Sequence, residues 1–102
     1  MMYQSIMIDE FEQKQKRNEL AIIDVREIDE YQSGHIKEAK NMPLSSLQET
    51  AETLDKNQSY YIICHSGGRS QMASEYFSSL GYNVTNVMGG MSAWRGEIIC
   101  GL

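Results

Sequence analysis

Tyr60-Tyr61-Ile62-Ile63-Cys64-His65-Ser66-Gly67-Gly68-Arg69-Ser70 joins an apolar run to a polar, glycine-containing one. Its apolar run, two of whose residues are β-branched, suits a strand covered on both faces, and after Arg69 the apolar residues switch to helical spacing. The chain therefore passes from a buried strand through a glycine-containing loop into a helix, with Cys64 at the strand's C-terminal end. Such a loop points several backbone N–H groups inward, and the helix that follows adds the positive end of its dipole. Together they form an anion cradle with a thiol at its floor. Surroundings of this kind lower a cysteine pKa from about 8.5 to roughly 3.5 to 7.5, so the thiolate is well populated at neutral pH. A cysteine that merely closes a core strand is the commoner state of the residue. The six residues from His65 to Ser70 are what favour a nucleophile here.

Outward from this stretch, strands and helices alternate. Ser5 to Ile8 reads as a short first strand, and Asp9 to Asn18 as a surface helix anchored by Phe11. Leu20 to Val25 is a second buried strand with Asp24, Arg26 and Glu27 at its polar exit. Asp29 can cap a brief helix that Gly34 stops. Ile36 to Met42 reads as a strand ahead of Pro43, because the residue before proline is pushed toward extended geometry. The spacing of Leu44, Leu47, Ala51 and Leu54 predicts a helix over Leu44 to Asp55. Beyond the loop, Met72, Ala73, Tyr76, Phe77 and Leu80 line one face of a helix that Gly81 can end in left-handed geometry. Asn83 to Val87 is the last strand, and Met91 to Arg95 a final short helix after Gly89-Gly90.

This alternation argues for an α/β fold: three layers, with a central, mostly parallel sheet of about five strands and helices on both faces. Ligands of open sheets collect beyond the carboxyl ends of the strands, where Asp24, Arg26 and Cys64 all fall. At 102 residues there is room for one core and no second, so a single domain over 1–102 is expected. The net charge of -5 disfavours nucleic acid and anionic membrane as partners. No apolar run approaches the roughly 20 residues of a membrane helix, and Met1-Met2-Tyr3-Gln4 lacks the basic start and apolar core of a signal peptide. The expected location is the cytoplasm, and the expected state a monomer. Two cysteines, Cys64 and Cys100, are too few for a disulfide scaffold. Two cysteines and two histidines without paired short spacings make a poor zinc site, and glycine motifs for nucleotides are absent, so no metal or cofactor is expected.

Several ordered motifs now coincide: Asp24-Val25-Arg26, Glu30-Tyr31 with Gly34-His35-Ile36, Ala39-Lys40-Asn41-Met42-Pro43, Cys64 to Ser70, Gly81-Tyr82 and Gly89-Gly90-Met91-Ser92-Ala93-Trp94. From Ile22 to Trp94 the chain resembles the single-domain rhodaneses, or thiosulfate sulfurtransferase-like proteins. The resemblance implies a rhodanese-like fold and gives Cys64 the role of the cysteine that takes a sulfane sulfur from thiosulfate or another persulfide donor. Cys64 would become a persulfide and hand that sulfur to a thiophilic acceptor: cyanide, a thiol or a carrier protein. It also places Asp24 and Arg26 beside the loop in a supporting role. Glu38 stands where relatives frequently have glycine, a change expected to affect only a turn.

Loop length separates the anion chemistries. Cysteine-dependent phosphatases resemble this loop but place five residues between cysteine and arginine, whereas four occur here, which disfavours a phosphatase. In a sulfur-transfer loop the backbone N–H groups would stabilise a persulfide standing on the cysteine. A rhodanese-like module without turnover, docking a partner or sensing an anion or redox state, is the other alternative. Arg69, the loop's single permanent cation, would hold a donor oxyanion bidentately or fix the loop. Ser66 and Ser70 would donate to the persulfide or cap the helix. His65, Gly67 and Gly68 complete the rim, which is open and weakly charged and compatible with a persulfide carried on a protein or small thiol. His35 reads as a hydrogen-bonded structural histidine and Trp94 as core packing. Cys100 reads as an incidental thiol in the tail that, were the tail to fold back, could resolve a persulfide or pair with Cys64.

Overall fold

The apolar runs at Ile22-Ile23 and Ile62-Ile63 are buried because adjacent residues of a strand point to opposite faces, and here both faces are covered. In the computed structural model, which describes residues 3–102, five strands form one sheet: β1 (Gln4–Met7), β2 (Ala21–Asp24), β3 (Ala39–Asn41), β4 (Ser59–Ile63) and β5 (Asn83–Met88). Their spatial order is β1-β5-β4-β2-β3, and all four pairings are parallel. Helices α1 (Ile8–Arg17), α2 (Ile28–Ser33), α3 (Leu47–Thr50) and α4 (Gly68–Ser79) flank it. One face packs Ile23, Ile62 and Val84 with Leu47 and Ala51 from the α3 region and Ala73 and Phe77 of α4. The other packs Ile22, Ile63 and Val87 with Ile8 and Phe11 of α1 and Tyr31 of α2. The result is the expected three-layer α/β fold.

From β2 the chain moves outward to β3, and from β4 it moves outward the other way to β5. The switch point thus lies between β2 and β4, whose register pairs Asp24 with Ile63. The Val25 N–H donates to Ile63 O at 2.9 Å just beyond that pair. Topology alone therefore brings the end of β2 against the residue before Cys64.

Four local expectations need correction. The helix read over Leu44 to Asp55 is instead a 3₁₀ turn (Leu44–Ser46), the single turn of α3 and a second 3₁₀ turn (Ala51–Thr53). Hydroxyls of Ser46, Thr50 and Thr53 donate to the carbonyls of Pro43, Ser46 and Thr50, the local competition that makes Ser and Thr poor helix formers. The strand read over Ile36 to Met42 keeps only Ala39–Asn41, because a turn closed by the Ala39 N–H on Ile36 O occupies Lys37 and Glu38. The cap of α2 is Glu27, not Asp29: its carboxylate and that of Glu30 exchange bonds with each other's backbone in a capping box. The final helix over Met91 to Arg95 is a 3₁₀ turn, Met91–Ala93. Gly81 does end α4, at φ +93, with its N–H on Ser78 O and the Tyr82 N–H on Phe77 O.

Candidate active site

Cys64 follows β4 on the side facing α4, and its residue is 1% exposed. The loop turns over it: Gly67, at φ +117, is the N-cap of α4 and donates its N–H to Cys64 Sγ at 3.1 Å. Three residues on, Ser70 is fully buried in the first turn of α4. The thiol donates to Ser70 Oγ at 3.4 Å, and the Ser70 hydroxyl donates to Gly67 O at 3.1 Å. Burial pushes the Cys64 thiol up, but the Ser70 hydroxyl and the backbone N–H groups of Ser70, Gly67 and Ser66 outweigh it and hold the thiol below its ordinary value. His65, Ser66 and Gly68 are exposed and form the rim of the loop. The arrangement can stabilise a negative charge on the Cys64 sulfur, with the exposed rim beside it.

The loop is braced from beneath by the turn that follows β5. Met91 donates its N–H to Cys64 O and Ser92 to His65 O, both at 2.8 Å. Gly90, immediately before Met91, has φ +55 and ψ -157, and a Cβ there would stand 2.6 Å from His65 O. Only glycine allows the two segments to approach so closely.

Arg69 is not directed at Cys64. Its Nη1 and Nη2 donate to Glu30 Oε1 and Oε2 at 2.6 and 2.9 Å, a bidentate ion pair across 39 residues. Those bonds lower the Glu30 carboxyl from 4.5 to about 2 against an upward push from burial, with the Glu27 N–H and the charges of Arg69 and Arg26 adding to the effect. Glu30 is thus the residue that sequence reasoning missed: it appeared within a motif, and only its capping-box spacing from Glu27 hinted at an inward role. Gly90 was missed as well, its only signal being the glycine pair.

Asp24 and Arg26 form a buried ion pair, with Nη2 2.8 Å from Oδ2 and Nε 3.0 Å from Oδ1. Arg26 Nη2 also donates to Gly34 O at 2.8 Å, and Asn41 Nδ2 ties the segment to β3 through Asp24 O and Arg26 O. This cluster lies at the end of β2 and ties it to β3, and among the hydrogen bonds described none runs from it to the Cys64 loop. His35 is 1% exposed, donates its Nδ1–H to Tyr31 O at 2.7 Å and stacks on the Tyr31 ring at 3.6 Å, a structural placement. Trp94 is half-buried and packs on Phe11, ring centroids 5.9 Å apart. Cys100 is an exposed free thiol against Ser33 O, in a tail that pairs Ile99 with His35 over the end of α2.

A parallel five-stranded α/β sheet with a cysteine loop at its switch point defines a class, and the comparison with known families gives it a name. The rhodanese-like domain model matches residues 7–97, and the chain belongs to that family. In Bacillus subtilis (strain 168) it is 44% identical over 79 residues to YtwF, provisionally named a sulfurtransferase, covering 78% of this chain and 77% of that protein. It is 43% identical over 94 residues to YrkF of the same organism, provisionally named a sulfur carrier protein, covering 90% of this chain. The chain spans about half of YrkF, 51% of its length. The crystal structure of a rhodanese-like domain protein from Staphylococcus aureus superposes with a TM-score of 0.89 at 34% identity, covering 97% of this chain and 99% of that one.

Proposed function

We propose that this chain is a rhodanese-type sulfurtransferase that moves a sulfane sulfur from thiosulfate or another persulfide donor to a thiophilic acceptor through a persulfide on Cys64. The observation that carries the reading is the Gly67 N–H donating to Cys64 Sγ, with the Ser70 hydroxyl in hydrogen-bond contact with that sulfur and free to turn its proton to it, at the N-terminus of the 12-residue helix α4. A thiolate forms readily there, and the same donors serve the negative charge of a persulfide one bond further out. The reaction is a double displacement: the thiolate attacks the outer sulfur of the donor, the donor's remainder leaves with the bonding electrons, and the acceptor then takes the sulfur from Cys64. The names of YtwF and YrkF support sulfur transfer as the class of reaction. In this reading Cys64 is the nucleophile, Gly67 and Ser70 bind the sulfur anion, His65, Ser66 and Gly68 shape the entry, Arg69 holds α4 to α2 through Glu30, and Asp24 with Arg26 supports the end of β2. Initial rates measured against varied donor and acceptor test this. Parallel double-reciprocal lines and complete loss of transfer in Cys64→Ser are expected; transfer that persists in that variant would overturn the reading.

A further inference from the structure

Resting on that reading, the bidentate pair between Arg69 and Glu30 bears on which donor the site accepts. Arg69 is the loop's only permanent cation, and both of its terminal nitrogens are occupied by one carboxylate. Glu30 is held from two further directions, accepting the Glu27 N–H at 3.1 Å within the capping box while Glu27 itself accepts from the Ser45 hydroxyl at 2.7 Å. Counting Arg69, Glu30 and Glu27, the fixed charge on this side of the loop sums to one negative. Asp24 and Arg26 neutralise each other beside it.

Donors differ in what they ask of such a site. Thiosulfate enters as a dianion and leaves as sulfite, also a dianion, whose three oxygens call for a free guanidinium. A persulfide on a thiol needs only the Gly67 N–H already aimed at sulfur and the Ser70 hydroxyl, which can turn its proton from Gly67 O to the sulfur. The Cys64 thiolate attacks the outer sulfur of R–S–SH, a new sulfur–sulfur bond forms as the old one breaks, and the electron pair leaves with R–S⁻. The proton stays with the transferred sulfur or passes to solvent, and no external oxidant or reductant is required.

We propose that Glu30 is a specificity-determining residue: by holding Arg69 in a bidentate pair it withholds the guanidinium from donor oxyanions and selects sulfane sulfur carried on a thiol over thiosulfate. The test compares kcat/KM for thiosulfate and for glutathione persulfide, with a common acceptor, in the native protein and Glu30→Gln. Glutamine retains the oxygen that accepts the Glu27 N–H, so the cap of α2 survives. The native protein is expected to favour the persulfide. The variant is expected to raise the ratio of thiosulfate to persulfide kcat/KM on the order of tenfold, as removal of one negative charge near a dianion implies. A second measurement needs no variant: added inert salt should raise native kcat/KM for thiosulfate, because it screens repulsion, and should leave that for the persulfide less affected. A native preference for thiosulfate, a ratio unchanged in Glu30→Gln, or a thiosulfate rate that falls with salt would overturn the proposal while leaving sulfur transfer intact. Failure of Cys64 to take up sulfur from either donor would overturn both.

Discussion

Replacing Ser70 with alanine isolates the side chain that most favours the Cys64 thiolate. In the thiol form the S–H donates to Ser70 Oγ at 3.4 Å while the Ser70 hydroxyl donates to Gly67 O at 3.1 Å. Ionisation removes the sulfur's proton, so Ser70 must turn its own proton from Gly67 O to Sγ. The gain is a hydrogen bond to a charged group, about 1.5–3 kcal/mol, and the loss a neutral one of about 0.5–1.5 kcal/mol. The difference of about 1–1.5 kcal/mol corresponds to roughly one pKa unit. Ser70→Ala should therefore raise the Cys64 pKa by about one unit, and the Gly67 N–H at 3.1 Å should keep it from rising further. The side chain is fully buried and in a helix, where alanine fits without new contacts. The assay is the pH dependence of alkylation by a small reagent in a Cys100→Ser background, which removes the exposed second thiol. An apparent pKa within about 0.3 unit of the parent, or below it, would refute the assignment of Ser70 as the principal side-chain donor.

Two further outcomes follow from the braces around the loop. Gly90→Ala places a Cβ 2.6 Å from His65 O at a backbone conformation that side chains rarely adopt, and should cost about 3 kcal/mol or more, seen as a large fall in thermal midpoint together with weakened transfer. The Glu30–Arg69 pair should show in acid: because the folded-state carboxyl lies at about 2 instead of 4.5, its contribution is full above about 4.5 and is lost as pH falls from there toward 2. With the Glu30 side chain 36% exposed, solvent screening limits that contribution to about 1 kcal/mol. The gap in urea midpoint between the native protein and Glu30→Gln should stay constant above pH 5 and narrow between about pH 4.5 and 2; a gap that does not change across this range would contradict the pairing.

The sheet was legible in the sequence because strands covered on both faces need unbroken apolar runs, and Ile22-Ile23 and Ile62-Ile63 supply them. The inner face of α4 was misread for a related reason. Met72 and Leu80, read with Ala73, Tyr76 and Phe77 as one apolar face, are 60% and 39% exposed, while Ser70, Ala73, Ser74 and Phe77 are buried. Small residues fill that face where the helix lies close to the strand end and Cys64, a demand of distance that hydropathy does not encode. Cysteine, loop and helix start were visible as one local pattern. The partner of Arg69 was not, since Glu30 lies 39 residues away on another helix and periodicity carries no information across such a gap. What its hydrogen bonds show is that Arg69 ties α4 to Glu30 of α2.

A persulfide on Cys64 would register directly in the intact mass of the protein. The native protein, the Cys64→Ser variant and the Cys100→Ser variant would each be incubated with a sulfane-sulfur donor, freed of it and weighed. A gain of one sulfur atom, removable by a reducing thiol, is expected in the native protein and in Cys100→Ser but not in Cys64→Ser. A native protein that gains no sulfur from several donors, or a Cys64→Ser variant that gains as much, would contradict it.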